Sequence, residues 1–219
     1  MNEKAKILSE IIKSRRSVFP ESYIQKEIPR ELIDEILESA NYAPTHKLTQ
    51  PWRFKVIANG AKAKLGAELG KIYQQTVPAD KFLQKKFDSF AQKTTQADVI
   101  IAICIQFNED KLPAWEEIAA VACAVQNMAL TAEALHIGAY WSSPPLIAHL
   151  DNFLGLAENE KCYGLFYMGY HNAQPRAANR TPMSEKVQWM DAPLNLPKGE
   201  TLVKELNSPR LEGAEGGSV

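Results

Sequence analysis

Residues 98–106 read Asp-Val-Ile-Ile-Ala-Ile-Cys-Ile-Gln. The stretch from Val99 to Ile105 is unbroken apolar sequence dominated by β-branched residues, and at that length it is a strand rather than a helix. A strand with one wet face alternates apolar with polar residues, so a run without alternation has to be covered on both faces. The sequence on either side supplies the cover.

Upstream, Ile7, Leu8, Ile11 and Ile12 repeat at helical spacing until Arg15-Arg16, where Val18-Phe19-Pro20 breaks the pattern. Pro29 opens a second helix whose inward positions are Leu32, Ile33, Ile36, Leu37 and Ala40, with a stop near Ala43-Pro44. Arg53 to Ile57 alternates into Asn59-Gly60, a strand and turn, and Ala61 to Gln75 and Lys81 to Gln92 are amphipathic helices. Downstream, Trp115 to Leu135 is apolar around most of its circumference and rich in Ala, so that helix must be buried all round. In a chain of this size a partner subunit is one source of that burial. His136-Ile137-Gly138 ends the helix, Ala139 to Trp141 is a short strand, and Ser142-Ser143-Pro144-Pro145 cannot continue a ladder. A helix from Leu146 to Leu154 stops at Gly155, and Lys161 to Tyr170 forms the last strand. The expected class is therefore α+β, a small sheet between helical layers. Residues 1–196 read as one domain. Residues 197–219, ending Glu-Gly-Ala-Glu-Gly-Gly-Ser-Val, have little to bury and are expected to form a mobile tail.

Composition narrows the function. In 219 residues, 25 basic side chains stand against 26 acidic ones, and nothing in that balance suggests nucleic acid as a partner. Small molecules and protein partners fit better. The three cysteines, Cys104, Cys123 and Cys162, are odd in number and far apart, which favours a reducing cytoplasmic compartment over a disulfide framework. The opening residues mix Lys and Glu into their apolar spacing and do not read as a signal peptide. The Trp115 helix carries Glu116, Glu117, Gln126, Asn127 and Glu133, too many polar groups for a lipid-exposed span.

Several chemistries lack their machinery. No G-x-G-x-x-G follows a strand and no Walker lysine loop exists. The histidines, His46, His136, His149 and His171, have no ligand spacing with Cys, Asp or Glu, so no metal is expected. No serine sits in a G-x-S-x-G elbow. Three features remain. Arg15-Arg16-Ser17 places two guanidinium forks and a hydroxyl within one turn, which suits an oxyanion such as phosphate; equally, the cations could serve only the negative end of a helix dipole. Ala43-Pro44-Thr45-His46-Lys47-Leu48-Thr49-Gln50-Pro51-Trp52 is a loop crowded with hydrogen-bonding side chains, or simply a proline-braced connection. Gly138-Ala139-Tyr140-Trp141-Ser142-Ser143 ends a strand with small residues that leave backbone N–H groups open, or is a plain strand terminus.

Taken together and in this order, these motifs resemble the FMN-dependent nitroreductase family from about Ile11 to Trp189. The Ala-Pro-Thr-His-Lys passage is most similar to a short bacterial subgroup named as NAD(P)H nitroreductases. The resemblance implies a nitroreductase-like fold, with a central mixed, mainly antiparallel sheet between helical layers in an intertwined homodimer, and two FMN sites at the subunit interface. It implies that Arg15, Arg16 and Ser17 hold the phosphate, ribityl chain and pyrimidine edge. Thr45 and His46 would reach the flavin from the partner, and Trp141, Ser142 and Ser143 would lie against the ring, with a backbone N–H at Ser143 toward N5. Arg180 would bind the phosphate. The implied reaction is ping-pong hydride transfer from NAD(P)H to a nitroaromatic, quinone or similar acceptor, with no side chain serving as a catalytic acid. Rival readings are a related flavoenzyme such as a dehalogenase or dehydrogenase, a flavin-binding protein without turnover, and a helical scaffold without flavin. Two departures from many relatives stand out: Phe19 occupies a position that is often basic, and Ser142-Ser143 replaces Glu-Gly.

Overall fold

The computed structural model describes residues 2–190, so the segment from 197 onward, read above as a tail, lies outside the described residues. Contacts divide the chain after residue 178 into two units. The first holds the whole sheet.

Its helices are α1 (Glu3–Ser14), α2 (Arg30–Ala40), α3 (Gly60–Thr76), α4 (Gln84–Gln96), α5 (Ala114–Ala134) and the single turn α6 (Asp151–Leu154). Its strands are β1 (Trp52–Ala58), β2 (Val99–Gln106), β3 (Gly138–Ser142) and β4 (Glu160–Gly169), ordered β1-β2-β4-β3. All three ladders are antiparallel, and the one parallel pairing among the described residues is an isolated bridge between Ser17 and Ala139.

β2 is central and buried from Val99 to Ile105, as its composition requires. Its odd-numbered residues face Ile33 and Ile36 of α2 and Val121, Ala124, Val125 and Met128 of α5. Its even-numbered residues face Leu65, Leu69 and Tyr73 of α3 and Leu146, Ile147 and Leu150 beyond β3. Strand periodicity thus divides one apolar run between two cores. Cys104 and Cys162 sit opposite each other in the second core, and all three cysteines are free thiols. The neighbouring Cys162 thiol and then burial keep the Cys104 thiol protonated well above the usual range.

Three elements differ from expectation. β3 runs one residue further than expected, with Ser142 paired opposite Leu165, so the ladder ends at Ser142 rather than at Trp141. The helix expected at Leu146–Leu154 is a 3-10 stretch, Pro145–His149, followed after Leu150 by the short α6; Pro144-Pro145 and the Leu150 backbone (φ −89°, ψ 0°) interrupt regular α geometry. α4 begins later and ends later than its apolar spacing suggests, because Thr94 is buried against Gly66 of α3 and keeps the last turn packed. α5 buries seven residues against its own chain, yet Trp115, Ala119, Ala122, Cys123 and Gln126 remain exposed along one side. The second unit carries a 3-10 turn at Met183–Glu185 among its described residues.

Candidate functional site

α1 stops at Arg15, whose backbone leaves the helical region (φ −50°, ψ 125°), and the chain continues as an extended strap along β3. Val18 N–H donates to the Ala139 carbonyl at 3.0 Å. The strap's own carbonyls are held by side chains. The Tyr23 hydroxyl lies 2.8 Å from the Val18 oxygen and 3.0 Å from that of Tyr167, and Arg176 Nη2 donates to the Ser17 carbonyl at 2.8 Å. Tyr23 is buried, and that burial, with Tyr167 beside it, pushes its pKa far above the ordinary value of 10.

Arg16 turns back on its own helix. Its Nη1 donates to the carbonyls of Lys13 (2.6 Å), Ser14 (3.1 Å) and Arg15 (2.9 Å), and its Nε donates to that of Arg176 (2.9 Å). Of the two readings left open for the arginine pair, Arg16 therefore realises the dipole-complementing one while still lining the cleft beside the strap. Arg15 and Arg16, with Arg176, form no ion pair among the described residues. The cleft measures about 780 Å³ and runs from Ser17 and Phe19 past Glu133 and His136 at the end of α5 to His171 and Arg176. Arg16 and Arg176 bring two guanidinium groups to this cleft and Glu21 and Glu133 two carboxylates, while Arg15 is not among its lining residues. Arg176 was not singled out from the sequence, since Gln174-Pro175-Arg176 is ordinary loop composition and only the fold carries it back to Ser17.

β3 is one of the sheet's two edge strands, β1 being the other. Because the Ala139 carbonyl faces the strap, the alternation of an antiparallel strand turns the N–H and C=O of Trp141 away from β4 as well. Past the strap's single bridge, the edge from Trp141 to Ser143 therefore presents polar backbone. Tyr140 stacks on Tyr167 and meets Phe19 with ring centroids 4.5 Å apart, so at Phe19 the strap makes an aromatic contact with β3.

Thr45 and His46 stand elsewhere. Their loop holds three non-glycine residues at positive φ, Lys47 (48°), Leu48 (53°) and Gln50 (44°), a concentration of strained backbone typical of functional loops. It is braced by His46 Nδ1 to Glu116 Oε2 at 2.6 Å, Lys47 Nζ to the Lys111 carbonyl at 2.8 Å, and Gln50 N–H to Thr45 Oγ1 at 3.0 Å. Glu116 lies at the start of α5 and Glu133 near its end. At 1.5 Å per residue, the loop and the cleft are about 25 Å apart along that helix. One chain brings Arg16, Ser17 and Phe19 together at one end of α5 and Thr45 and His46 at the other. Arg180 lies in the second unit, where its guanidinium donates to the Asn179 carbonyl at 2.7 Å.

A layered antiparallel sheet with a cationic strap on one edge defines an α+β protein with a ligand cleft at a sheet edge. Within that class the chain belongs to the Nitroreductase family, whose model matches residues 12–170. YfhC of Bacillus subtilis, which carries an NAD(P)H nitroreductase name, is 27% identical over 187 residues, covering 84% of this chain and 94% of its own. Among solved structures, a nitroreductase-like family protein from Bacillus cereus superposes with a TM-score of 0.72 at 23% identity, over 84% of this chain and 96% of the other. NfnB of Mycobacterium smegmatis, described as an FMN-dependent nitroreductase in complex with NADPH, has a TM-score of 0.68 at 18% identity, over 85% and 99%.

Proposed function

We propose that the chain is a homodimeric, FMN-dependent oxidoreductase that takes hydride from NAD(P)H and reduces a nitroaromatic, quinone or similar acceptor in a ping-pong cycle. The observation that carries the reading is the separation of the two half-sites by the length of α5. A helix face running between them is left open, with Trp115, Ala119 and Cys123 on it. Two copies apposed through that face about a two-fold axis can bring one copy's strap to the other's Thr45–Gln50 loop. Association would also cover a helix that is apolar nearly all round.

The residues suit FMN. Arg15, which makes no ion pair among the described residues, is assigned to the phosphate by the resemblance, as separately is Arg180 of the second unit, and Arg176 lies in the cleft with Arg16 and Ser17. Arg16 holds the end of α1 in shape, and Ser17 offers a hydroxyl to the ribityl chain. Trp141, Ser142 and Ser143 provide an aromatic side chain and edge N–H groups for the ring, the Ser143 N–H serving N5. Thr45 and His46 complete the pocket from the second copy. When bound, FMN supplies a carrier for hydride at N5, and the protein contributes orientation, electrostatics and a slot shared by donor and acceptor. No side chain is assigned as the acid, and water delivers the proton. The three free thiols suit a cytoplasmic setting.

Anaerobic mixing of the flavin-loaded protein with NADH or NADPH tests the redox assignment. Rapid bleaching of the flavin followed by reoxidation with a nitroaromatic or quinone is the expected result. A flavin spectrum unmoved by both nicotinamides would make the protein a flavin carrier instead.

A further inference from the structure

Opposite Ile103 and Cys104, β4 carries one residue too many: Ile103 pairs with Gly164 and Cys104 with Cys162, so Tyr163 has no partner on β2. Such a bulge frees backbone groups from the ladder. The Tyr163 carbonyl is used from β3, where Trp141 Nε1 donates to it at 3.3 Å. Gly164 lies directly beneath that indole. A β-carbon at this glycine would stand inside the Trp141 ring, against Nε1, and 3.0 Å from the Ser142 carbonyl. Gly164 is buried, and among the described glycines only Gly155 has the positive φ that calls for glycine. Space for the indole, rather than conformation, is therefore what position 164 requires. Trp141 itself remains 37% exposed on the open strand.

We propose that Gly164 is a positioning residue: with the Tyr163 bulge it seats the Trp141 indole against β4, and so fixes the aromatic wall beside which the flavin ring and a planar aromatic acceptor lie. The inference rests on the reading of Trp141 as part of the flavin site. Adding one methyl group at 164 lifts the indole off its seat and into the space beside Ser142 and Ser143. Removing the indole takes away the two closest clashes and leaves only the tight 3.0 Å approach to the Ser142 carbonyl.

The test compares full-length wild type, Gly164→Ala, Trp141→Ala and the double variant, each titrated with FMN and followed by flavin absorbance and fluorescence and by acceptor KM. Gly164→Ala is expected to weaken FMN binding or raise acceptor KM about tenfold and to alter the bound-flavin spectrum. The double variant should match Trp141→Ala alone. Should Gly164→Ala fail to fold, folding and flavin uptake by the double variant support the assignment equally. A double variant clearly more impaired than Trp141→Ala alone overturns the role of Gly164, as does a Gly164→Ala protein indistinguishable from wild type. Wild type that takes up no flavin overturns the underlying reading of the site instead.

Discussion

Arg15 and Arg16 are neighbours of the same chemistry, and the fold gives them different work. Arg16 spends its donors on the carbonyls ending α1 and on Arg176, whereas Arg15 forms no ion pair among the described residues. Arg15→Ala should weaken FMN binding by about 1.5–3 kcal/mol, roughly ten- to a hundredfold, with little change in melting temperature. A fluorimetric FMN titration beside a thermal melt checks both halves of that statement. Glu117 carries a purely structural burden: it is buried and accepts from Asn108 N–H and Asn108 Nδ2, each at 2.8 Å. Glu117→Ala leaves those donors stranded and should cost about 2–3 kcal/mol, a fall of roughly 5–10 °C in a thermal melt. The arginine pair was visible in the sequence as a candidate, but its division of labour was not. Which guanidinium meets backbone depends on where α1 stops and on the return of residue 176 past β4, and neither is a local signal.

At the scale of elements, the order of helices and strands followed from apolar periodicity, because each face had one core to fill. The strap from Arg15 to Phe19 escaped that reading: it has no period, and a tyrosine hydroxyl, an arginine and one strand bridge hold it. Burial holds Tyr23 and Tyr167 neutral in the fold, each with its pKa raised above the ordinary 10. An acid whose folded pKa exceeds its unfolded one contributes stability that is intact below the unfolded value and is lost as pH rises beyond it. Stability should therefore be insensitive to these groups below pH 10 and fall above it, and Tyr23→Phe should make the alkaline fall shallower. Urea titrations across that range measure the slope. The same substitution frees the Val18 carbonyl and should weaken FMN binding several-fold at neutral pH by loosening the strap. The Thr45–Gln50 loop was legible as a loop rich in donors, but its positive φ angles and its docking on α5 were not, since Lys and Leu carry no local preference for that conformation.

For the whole molecule, the sequence indicated the wrapped α5 helix and the family, and the structure adds the distance between the parts. On the proposed reading of a flavin site shared by two chains, association and flavin binding should be linked, with flavin favouring the dimer. Sedimentation at micromolar concentration should give a dimer of this 219-residue chain, and Ala119→Arg on the open face of α5 should shift it toward monomer while lowering flavin content. The most direct measurement is complementation between two damaged copies. Arg15→Ala harms only the strap's contribution, and the double substitution Thr45→Ala/His46→Ala only the loop's. When the two are dissociated together and reassociated in equal amounts, one undamaged site arises in each mixed dimer, and about a quarter of all sites should regain wild-type FMN affinity. A mixture that binds no better than its separate components would contradict a site built from two chains.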